Sequence, residues 1–276
     1  MTNGTTHRPV GEVSPPPRIR AQAWVVVDLA TGDILGKHRA RARLPQASTI
    51  KLLTALTADR RLSATEPLRA TRLAANTICS CAGVKAGRQY TRAMLLAGML
   101  VKSGNDAAEA LAGADPRGRA RFIAGMNRTA ARLGATDTVA KNPSGLDQAG
   151  ARSSARDLLV FLRAASRRPA VVAWLDTPHV RFGAIGGRKH WLEATTDYLH
   201  DYDDSYAAKN GYTTRAGNTL AAASRMVDPE TGAEHDIGVA LLDARAGYTT
   251  SGARALVEWA VENAGRLAPV GRLPTR

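Results

Sequence analysis

Ser48 and Lys51 lie three residues apart at the start of the segment "STIKLLTAL". Residues three apart on a helix share a face, so the hydroxyl and the amine can meet. A serine hydroxyl becomes an efficient nucleophile when a base removes its proton, and a lysine serves as that base once burial or neighbouring positive charge lowers its pKa. The apolar residues after Lys51 predict a central, buried helix from Ser48 to about Arg61. The spacing therefore predicts a nucleophile with its own base. The alternative is a helix-capping serine followed by a surface lysine.

A second polar motif, Ser103-Gly104-Asn105, stands between two predicted helices in "LVKSGNDAAEAL". A serine and an asparagine on such a connection can both face a cleft. Ser103 would relay a proton, and Asn105 would hold a substrate amide through its carbonyl and NH₂ groups. The alternative for Asn105 is ordinary capping of the second helix.

A third motif, Lys209-Asn210-Gly211, begins the segment "KNGYTTRAGNTLAAAS". A glycine beside a lysine on a strand fits an edge that a ligand backbone must approach closely. Lys209 would then meet a substrate carboxylate. The alternative is a β-turn with a solvated lysine.

In this order, the three motifs resemble those of the low-molecular-mass penicillin-binding proteins, the serine-type D-alanyl-D-alanine carboxypeptidases. The resemblance extends over residues 21–265. It includes the segments "AQAWVVVDLATGDILGKH", "LPQASTIKLLTAL", "AGRQYTRAMLLAGMLVKSGNDAAEALA", "NPSGLD" and "KNGYTTRAGNTLAAAS".

The resemblance implies removal of the terminal D-Ala from peptidoglycan stem peptides through an acyl-enzyme on Ser48, with β-lactams as covalent inhibitors. It implies catalytic roles for Ser48, Lys51 and Ser103. It implies substrate contacts for Asn105, Lys209, Asn210, Gly211, Tyr212 and Thr213. The backbone N–H groups of Ser48 and Tyr212 would form the oxyanion hole. No cofactor and no metal are expected.

Two positions depart from the family pattern. Asn210 replaces the usual threonine, and Thr249-Thr250 stands near the place of an Arg-Phe pair before the last helix. The first departure leaves open a catalytically impaired penicillin-binding or wall-binding protein. A β-lactamase is a weaker alternative, because it needs an acidic residue to activate the deacylating water, and the segment "KNPSGLD" offers only Asp147.

Strand patterns at both ends of the chain enclose a helical middle. The predicted fold is α/β (α+β) and β-lactamase/transpeptidase-like, with an antiparallel sheet built from both chain ends, flanking helices and an inserted helical lobe. Strands are predicted within 24–35 and at 207–209, 219–224 and 236–242. Helices are predicted at 48–61, 91–100, 105–112, 117–133, 153–165 and 250–263. The predicted domain covers residues 21–265, between a disordered Pro-rich arm at 1–20 and a flexible tail at 266–276.

Composition restricts the partners. The 276-residue chain has a formal net charge of +14, but its basic residues form no long run and no stripe with aromatic residues, so no nucleic acid partner is expected. Cys79 and Cys81 are too few for a structural zinc site, and whether they are bonded is left open.

No signal peptide or membrane-spanning segment is visible, so an extracytoplasmic location, in the cell envelope or secreted, follows from the resemblance alone. Association with the cell wall or the membrane surface stays open.

Overall fold

The computed structural model describes residues 5–9, 13–185 and 188–275. Strands from both ends of this part of the chain form one antiparallel sheet of seven strands, in the order β11-β1-β3-β2-β10-β9-β8. The strands are β1 (Thr5–Pro9), β2 (Ala21–Asp28), β3 (Ile34–His38), β8 (Ser205–Thr213), β9 (Gly217–Val227), β10 (Glu234–Ala244) and β11 (Leu267–Ala268). The predicted fold class is confirmed.

The central strands are buried on both faces because helices cover each side of the sheet. Along β2, Val25 and Val27 pack with the helical lobe, whereas Trp24 and Val26 pack against α9 (Thr249–Glu262). This alternation follows from the two-residue period of a strand. It explains why β2 is apolar along nearly its whole length instead of alternating with polar residues.

The helical lobe is inserted between β3 and β8. Its helices are α1 (Lys51–Arg61), α2 (Arg72–Ala75), α3 (Arg92–Leu100), α4 (Asn105–Gly113), α5 (Arg119–Arg132), α6 (Ala155–Ser166), α7 (Pro169–Leu175) and α8 (Tyr198–Asp201). Helix α1 lies at its centre, with every residue from Lys51 to Ala58 buried. None of the helices in the described ranges is long and apolar enough to cross a bilayer.

Several elements differ from those predicted. Two short strands, β4 (Leu68–Arg69) and β5 (Gln89–Tyr90), pair with each other in the lobe, and a hairpin of β6 (His179–Ile185) and β7 (Arg188–Glu193) precedes β8. No strands are predicted in these regions. β4 and β5 have only two residues each, too few to show a pattern, whereas β6 does alternate, with Val180 and Phe182 between polar neighbours, and is a strand that the sequence prediction missed.

The described parts of the two chain ends are also more regular than predicted, whereas residues 1–4 and 10–12 of the expected arm and residue 276 of the expected tail lie outside the described residues. Within the expected N-terminal arm, β1 pairs with β3 and with β11, and β11 lies in the expected C-terminal tail. Gly32 and Ile34 additionally bond the backbone of residues 270–273. This pairing joins residues far apart in sequence, which local composition does not reveal. The boundaries at residues 20 and 265 stay a prediction.

Candidate active site

Ser48 stands at the mouth of α1, on a single 3₁₀ turn from Ala47 to Ile50. Its half-buried side chain lines a groove of about 500 Å³ between the sheet and the helical lobe. The preceding residue, Ala47, has φ +47°, a left-handed conformation that costs a non-glycine residue about 1 kcal/mol. Gly145 packs directly against the carbonyl of Ala47, where a Cβ would overlap it. The backbone that presents Ser48 is therefore held in a strained conformation by its surroundings.

Lys51 is fully buried and its amine contacts the hydroxyl of Ser48. Its Nζ lies 2.7 Å from Ser48 Oγ, 2.8 Å from Asn105 Oδ1 and 2.7 Å from the Ser144 carbonyl oxygen. Burial lowers the pKa of Lys51 well below its usual value, and the positive charge of Lys209 lowers it further. The favourable charges of Asp106 and Glu109 act in the opposite direction, with smaller effect. The result is an amine poised to be uncharged beside a hydroxyl.

Ser103 lies across the groove from α1, on the connection between α3 and α4. Its backbone φ is +57°, a second left-handed non-glycine residue at the groove. The residue is buried except for 7% of its surface, and its hydroxyl has no hydrogen-bond partner within the described part of the chain. That hydroxyl is available to a bound substrate.

Asn105 is the partner of Lys51 and does not cap α4. The N-cap residue is Gly104, which has no side chain to bond, so the capping alternative is wrong. Asn105 accepts from Lys51 through Oδ1, and its Nδ2 donates to the Ile78 carbonyl at 2.7 Å. One Nδ2 hydrogen is left for a substrate. The predicted substrate contact stays a prediction.

A short loop around a disulfide frames Asn105. Cys79 and Cys81 are bonded to each other, and the carbonyl of Ser80 between them accepts from the Asn105 backbone N–H at 2.7 Å. The buried carboxylate of Asp106 accepts from the backbone N–H groups of Ala82, Gly83, Val84 and Ala107. The first turn of α4 thus ties this loop to the groove. No motif in the sequence marks this loop as part of a site.

Lys209 is buried in β8 and is not the solvated lysine of the alternative interpretation. Its Nζ donates to the backbone oxygen of Asn210 at 2.8 Å and lies 3.2 Å from Asn210 Oδ1. Burial lowers the pKa of Lys209 to about 7. A carboxylate entering the groove would favour the charged form of this amine.

Asn210 is anchored to Thr195, a residue that the sequence analysis did not single out. Asn210 Oδ1 accepts from the Thr195 hydroxyl at 3.0 Å, and Nδ2 donates to the Thr195 carbonyl. Both residues line the groove. Thr195 belongs to the polar connection between β7 and α8, where no local pattern marks a site residue.

The remaining predicted residues divide into two groups. Gly211 and Tyr212 line the groove on β8, which is an edge strand of the sheet, and the Tyr212 side chain is exposed. Thr213 instead bonds Asp147 Oδ1 at 2.9 Å and the backbone N–H of Ala216 at 3.0 Å, and it does not line the groove. The structure brings every other predicted site residue to the groove or directly behind it.

Polar residues outside the three motifs also line the groove. Thr249 and Thr250, which stand near the family's Arg-Phe position, line it at the start of α9, and so do Asp197, Asp201 and Tyr202. The cavity therefore extends well beyond the nucleophile.

Comparison with known proteins agrees with this geometry. A family model described as D-alanyl-D-alanine carboxypeptidase matches residues 10–229. The D-alanyl-D-alanine carboxypeptidase DacB2 of Mycobacterium tuberculosis is 39% identical over 219 residues, which cover 79% of this chain and 74% of that protein.

Solved structures show the same fold. A crystal structure of a D-alanyl-D-alanine carboxypeptidase from Mycobacterium tuberculosis H37Rv matches with a TM-score of 0.87 and 33% identity, covering 96% of this chain and 99% of that one. The Streptomyces K15 DD-transpeptidase, at 22% identity, matches in fold with a TM-score of 0.80, covering 89% of this chain and 98% of that one. The resemblance seen in the sequence is confirmed, and the chain belongs to the D-alanyl-D-alanine carboxypeptidase family.

Proposed function

We propose that this protein is a serine-type D-alanyl-D-alanine carboxypeptidase that removes the terminal D-Ala from peptidoglycan stem peptides. The observation that carries the proposal is the 2.7 Å contact between Lys51 Nζ and Ser48 Oγ, made by a lysine that is fully buried. Membership of the D-alanyl-D-alanine carboxypeptidase family supports the same conclusion. Acylation requires both groups, because the Ser48 hydroxyl needs a base to remove its proton and the Lys51 amine can be that base only when it is uncharged.

Acylation begins when neutral Lys51 takes the proton of Ser48. The Ser48 oxygen attacks the carbonyl carbon of the penultimate D-Ala, and the negative charge on the carbonyl oxygen is stabilised by the backbone N–H groups of Ser48 and Tyr212. The C–N bond to the last D-Ala then breaks. Ser103 delivers its proton to the departing amine and takes the proton held by Lys51 in return, so the last D-Ala leaves as the free amino acid and Lys51 is neutral again.

Deacylation reverses these proton movements with water as the nucleophile. Neutral Lys51 accepts a proton from the water, which attacks the acyl carbon. The bond between the acyl carbon and Ser48 Oγ then breaks, Lys51 returns the proton to Ser48 Oγ, and the shortened peptide is released. A β-lactam would acylate Ser48 in the same way and stay attached, because its amine remains part of the bound acyl group and does not leave.

Lys209 and Asn210 are proposed to hold the terminal carboxylate. The Lys209 amine becomes charged when an anion approaches, since its pKa is about 7. Asn210 adds its remaining Nδ2 hydrogen, because the other donates to Thr195. Gly211 is proposed to let the substrate backbone lie along the edge strand.

One observation favours a second candidate, a penicillin-binding protein with impaired turnover. The Asn210 amide is held at both ends, Oδ1 by Thr195 and Lys209 and Nδ2 by the Thr195 carbonyl, so its remaining hydrogen cannot turn toward a carboxylate as freely as the family's threonine hydroxyl would. A β-lactamase has less support. Asp147, the acid that it would require, is exposed and bonded to Thr213, whereas Lys51 contacts the carbonyl of Ser144.

An extracytoplasmic location, in the cell envelope or secreted, accompanies the proposed function. Peptidoglycan is assembled outside the cytoplasm, and the bonded pair Cys79–Cys81 suits an oxidising compartment.

The test incubates the purified protein with a labelled penicillin and with a peptide ending in D-Ala-D-Ala. We expect one penicillin adduct per chain, mapped to the peptide that contains Ser48, together with D-Ala release. An adduct without D-Ala release would support the impaired penicillin-binding protein. Rapid destruction of the penicillin would support the β-lactamase.

Two serine variants sharpen this test. Ser48→Ala should abolish both the adduct and D-Ala release while the protein stays folded. Ser80→Ala is the matched control, since Ser80 also lines the groove but its hydroxyl donates to the Lys102 carbonyl at 2.8 Å. Mapping of the adduct to a residue other than Ser48 would refute the proposal.

A further inference from the structure

Arginine side chains from several elements of the helical lobe gather on one face. They come from the end of α1, from the second half of α5, and from α6 with its connection to α7. We call this surface the basic face and define it by Arg60, Arg128, Arg132, Arg163, Arg167 and Arg168.

These arginines interact in two groups, and Arg168 is the member of the basic face for which the described residues show an ion pair with a carboxylate. The pKa of Arg132 is lowered by burial and by the neighbouring charges of Arg60 and Arg128. Within the described part of the chain, none of these three forms an ion pair with a carboxylate, and Arg167 forms none either. Like charges held together in this way repel each other, and an anion bound among them would relieve the repulsion.

The acids near the basic face do not neutralise it. Asp28 and Asp33 act to raise the pKa of Arg163, but Asp33 is already paired with Arg272 at 2.6 Å. Asp59 pairs with Arg92 at 3.2 Å, and its contact with Arg168 is longer, at 3.9 Å. Arg168 is largely exposed, so this second pair contributes little.

The basic face contains a cavity of about 190 Å³ with mixed walls. Arg163 at its base is only 7% exposed, and its guanidinium donates to the carbonyls of Leu29 at 2.7 Å and Ala30 at 3.0 Å. Backbone carbonyls therefore hold the Arg163 guanidinium in place, and within the described residues no carboxylate forms an ion pair with it. The other walls are charged at Arg167 and Arg168 and apolar at Leu133, Val160, Ala164, Leu273 and Pro274.

The basic face and the groove lie at opposite ends of helix α1. The helix starts at Lys51, beside the nucleophile, and ends at Arg61, one residue after Arg60. Eleven helical residues span about 16 Å. A surface that contacts the basic face would therefore lie at the far end of the lobe, away from Ser48.

We propose that the basic face binds the surface of a membrane rich in anionic phospholipid. Phosphate groups would pair with the clustered guanidiniums, and the apolar wall of the cavity would contact the first methylene groups of a lipid acyl chain. A linear polyanion would meet the charges but would leave the apolar wall unused. In this orientation the groove faces away from the bilayer.

The test measures co-sedimentation of the full chain with vesicles. Vesicles of phosphatidylcholine containing about 30 mol % phosphatidylglycerol should bind the protein, and vesicles of phosphatidylcholine alone should not. Binding should disappear at about 0.5 M NaCl, where the charges are screened.

Two double variants remove the same number of charges. Arg128→Gln with Arg167→Gln should lower vesicle affinity about 10- to 30-fold, since each basic residue near an anionic surface contributes roughly a factor of 5. Arg72→Gln with Arg181→Gln is the control, because both arginines are exposed and lie outside the basic face. It should change affinity less than about twofold. The rate of penicillin acylation should stay unchanged in both variants, which verifies folding.

Three outcomes would overturn the proposal. One is absence of binding to the anionic vesicles. Another is an equal loss in both double variants, which would mean that total charge and not the basic face governs binding. The third is binding to soluble polyphosphate, with the same dependence on Arg128 and Arg167, but no binding to vesicles, which would assign the face to a polymer.

Discussion

Gly211 and Ser48 are packed so closely that a side chain at position 211 would collide with the nucleophile's backbone. A Cβ on Gly211 would come within 2.6 Å of the Ser48 backbone nitrogen and 2.7 Å of Thr219 Oγ1. Both neighbours are held in place, Ser48 by its 3₁₀ turn and Thr219 by β9. The absence of a side chain at Gly211 therefore allows β8 to approach the backbone of Ser48 this closely.

Gly211→Ala should lower the rate constant of penicillin acylation by about 100-fold or more, since a displacement of about 1 Å at reacting groups has that effect. Gly232→Ala is the control. A Cβ on Gly232 meets nothing, and only its φ of +70° opposes the substitution, so this variant should lose about 1 kcal/mol of stability and keep its rate of acylation. Wild-type acylation by the Gly211 variant would show that β8 moves aside at no cost.

The two buried lysines should give the peptidase reaction a bell-shaped pH profile. The value of kcat/KM should rise with pH as Lys51 loses its proton, because only the neutral amine accepts the proton of Ser48. It should fall above about pH 7 as Lys209 becomes neutral and loses its hold on the carboxylate. The profile is measured with a peptide ending in D-Ala-D-Ala.

A peptide with a terminal amide provides the control for the falling limb, which should vanish when no carboxylate needs Lys209. Lys51→Arg should lose about 10³-fold in acylation at every pH, since a guanidinium stays charged. A profile that is identical for the acid and the amide would contradict the role assigned to Lys209.

Lys209 should also make stability depend on pH. The folded protein releases the Lys209 proton near pH 7, whereas the unfolded chain keeps it up to about 10.5. The unfolded state therefore binds more protons between these values, and the free energy of unfolding should rise with pH across this window. The contribution is at most about 4 kcal/mol between pH 7 and 10.

Urea unfolding at several pH values checks this expectation. In Lys209→Met, the free energy of unfolding should increase less with pH than in the wild type, and the difference is the Lys209 contribution. The part of the increase that is due to Lys51 should remain. Parallel curves for the two proteins would show that Lys209 keeps an ordinary pKa in the folded state.

Asn210→Asp should separate binding from chemistry. The substitution keeps the shape but removes both Nδ2 donors, and it adds a negative charge beside Lys209 that repels a substrate carboxylate. We expect KM for the D-Ala-D-Ala peptide to rise about 100-fold, with a smaller effect on kcat. Thr195→Val is the comparison. It removes one hydrogen bond to Asn210 and should raise KM no more than about fivefold.

The disulfide should support acylation through Asn105. Replacing Cys79 and Cys81 with serine frees the loop whose Ile78 and Ser80 carbonyls hold Asn105. We expect acylation to slow about three- to tenfold and stability to fall by about 1–2 kcal/mol. A thiol reductant should slow the wild type to the rate of the double variant and leave that variant unaffected. If the variant matches the untreated wild type, Asp106 alone is enough to hold the loop.

The sequence by itself determined the features that depend on local spacing. One helical turn separates Ser48 from Lys51, so their contact follows once the segment becomes helical. The same locality explains why the helix predicted at 91–100 is present, beginning one residue later at Arg92, with Thr91 Oγ1 accepting from the Met94 backbone N–H. The sheet was also predicted from local sequence, because apolar strand patterns occur near both ends of the chain.

Tertiary structure alone decided how the motifs act on one another. The third acceptor of Lys51 is the carbonyl of Ser144, 93 residues away, and the partner of Asn210 is Thr195 in a connection with no distinguishing pattern. The low pKa values of Lys51 and Lys209 depend on burial by separate elements and, for Lys51, on the charge of Lys209. Desolvation and charge coupling depend on distances in space. The local sequence around Lys51 or Lys209 therefore could not determine whether either amine is buried and neutral or solvated and charged.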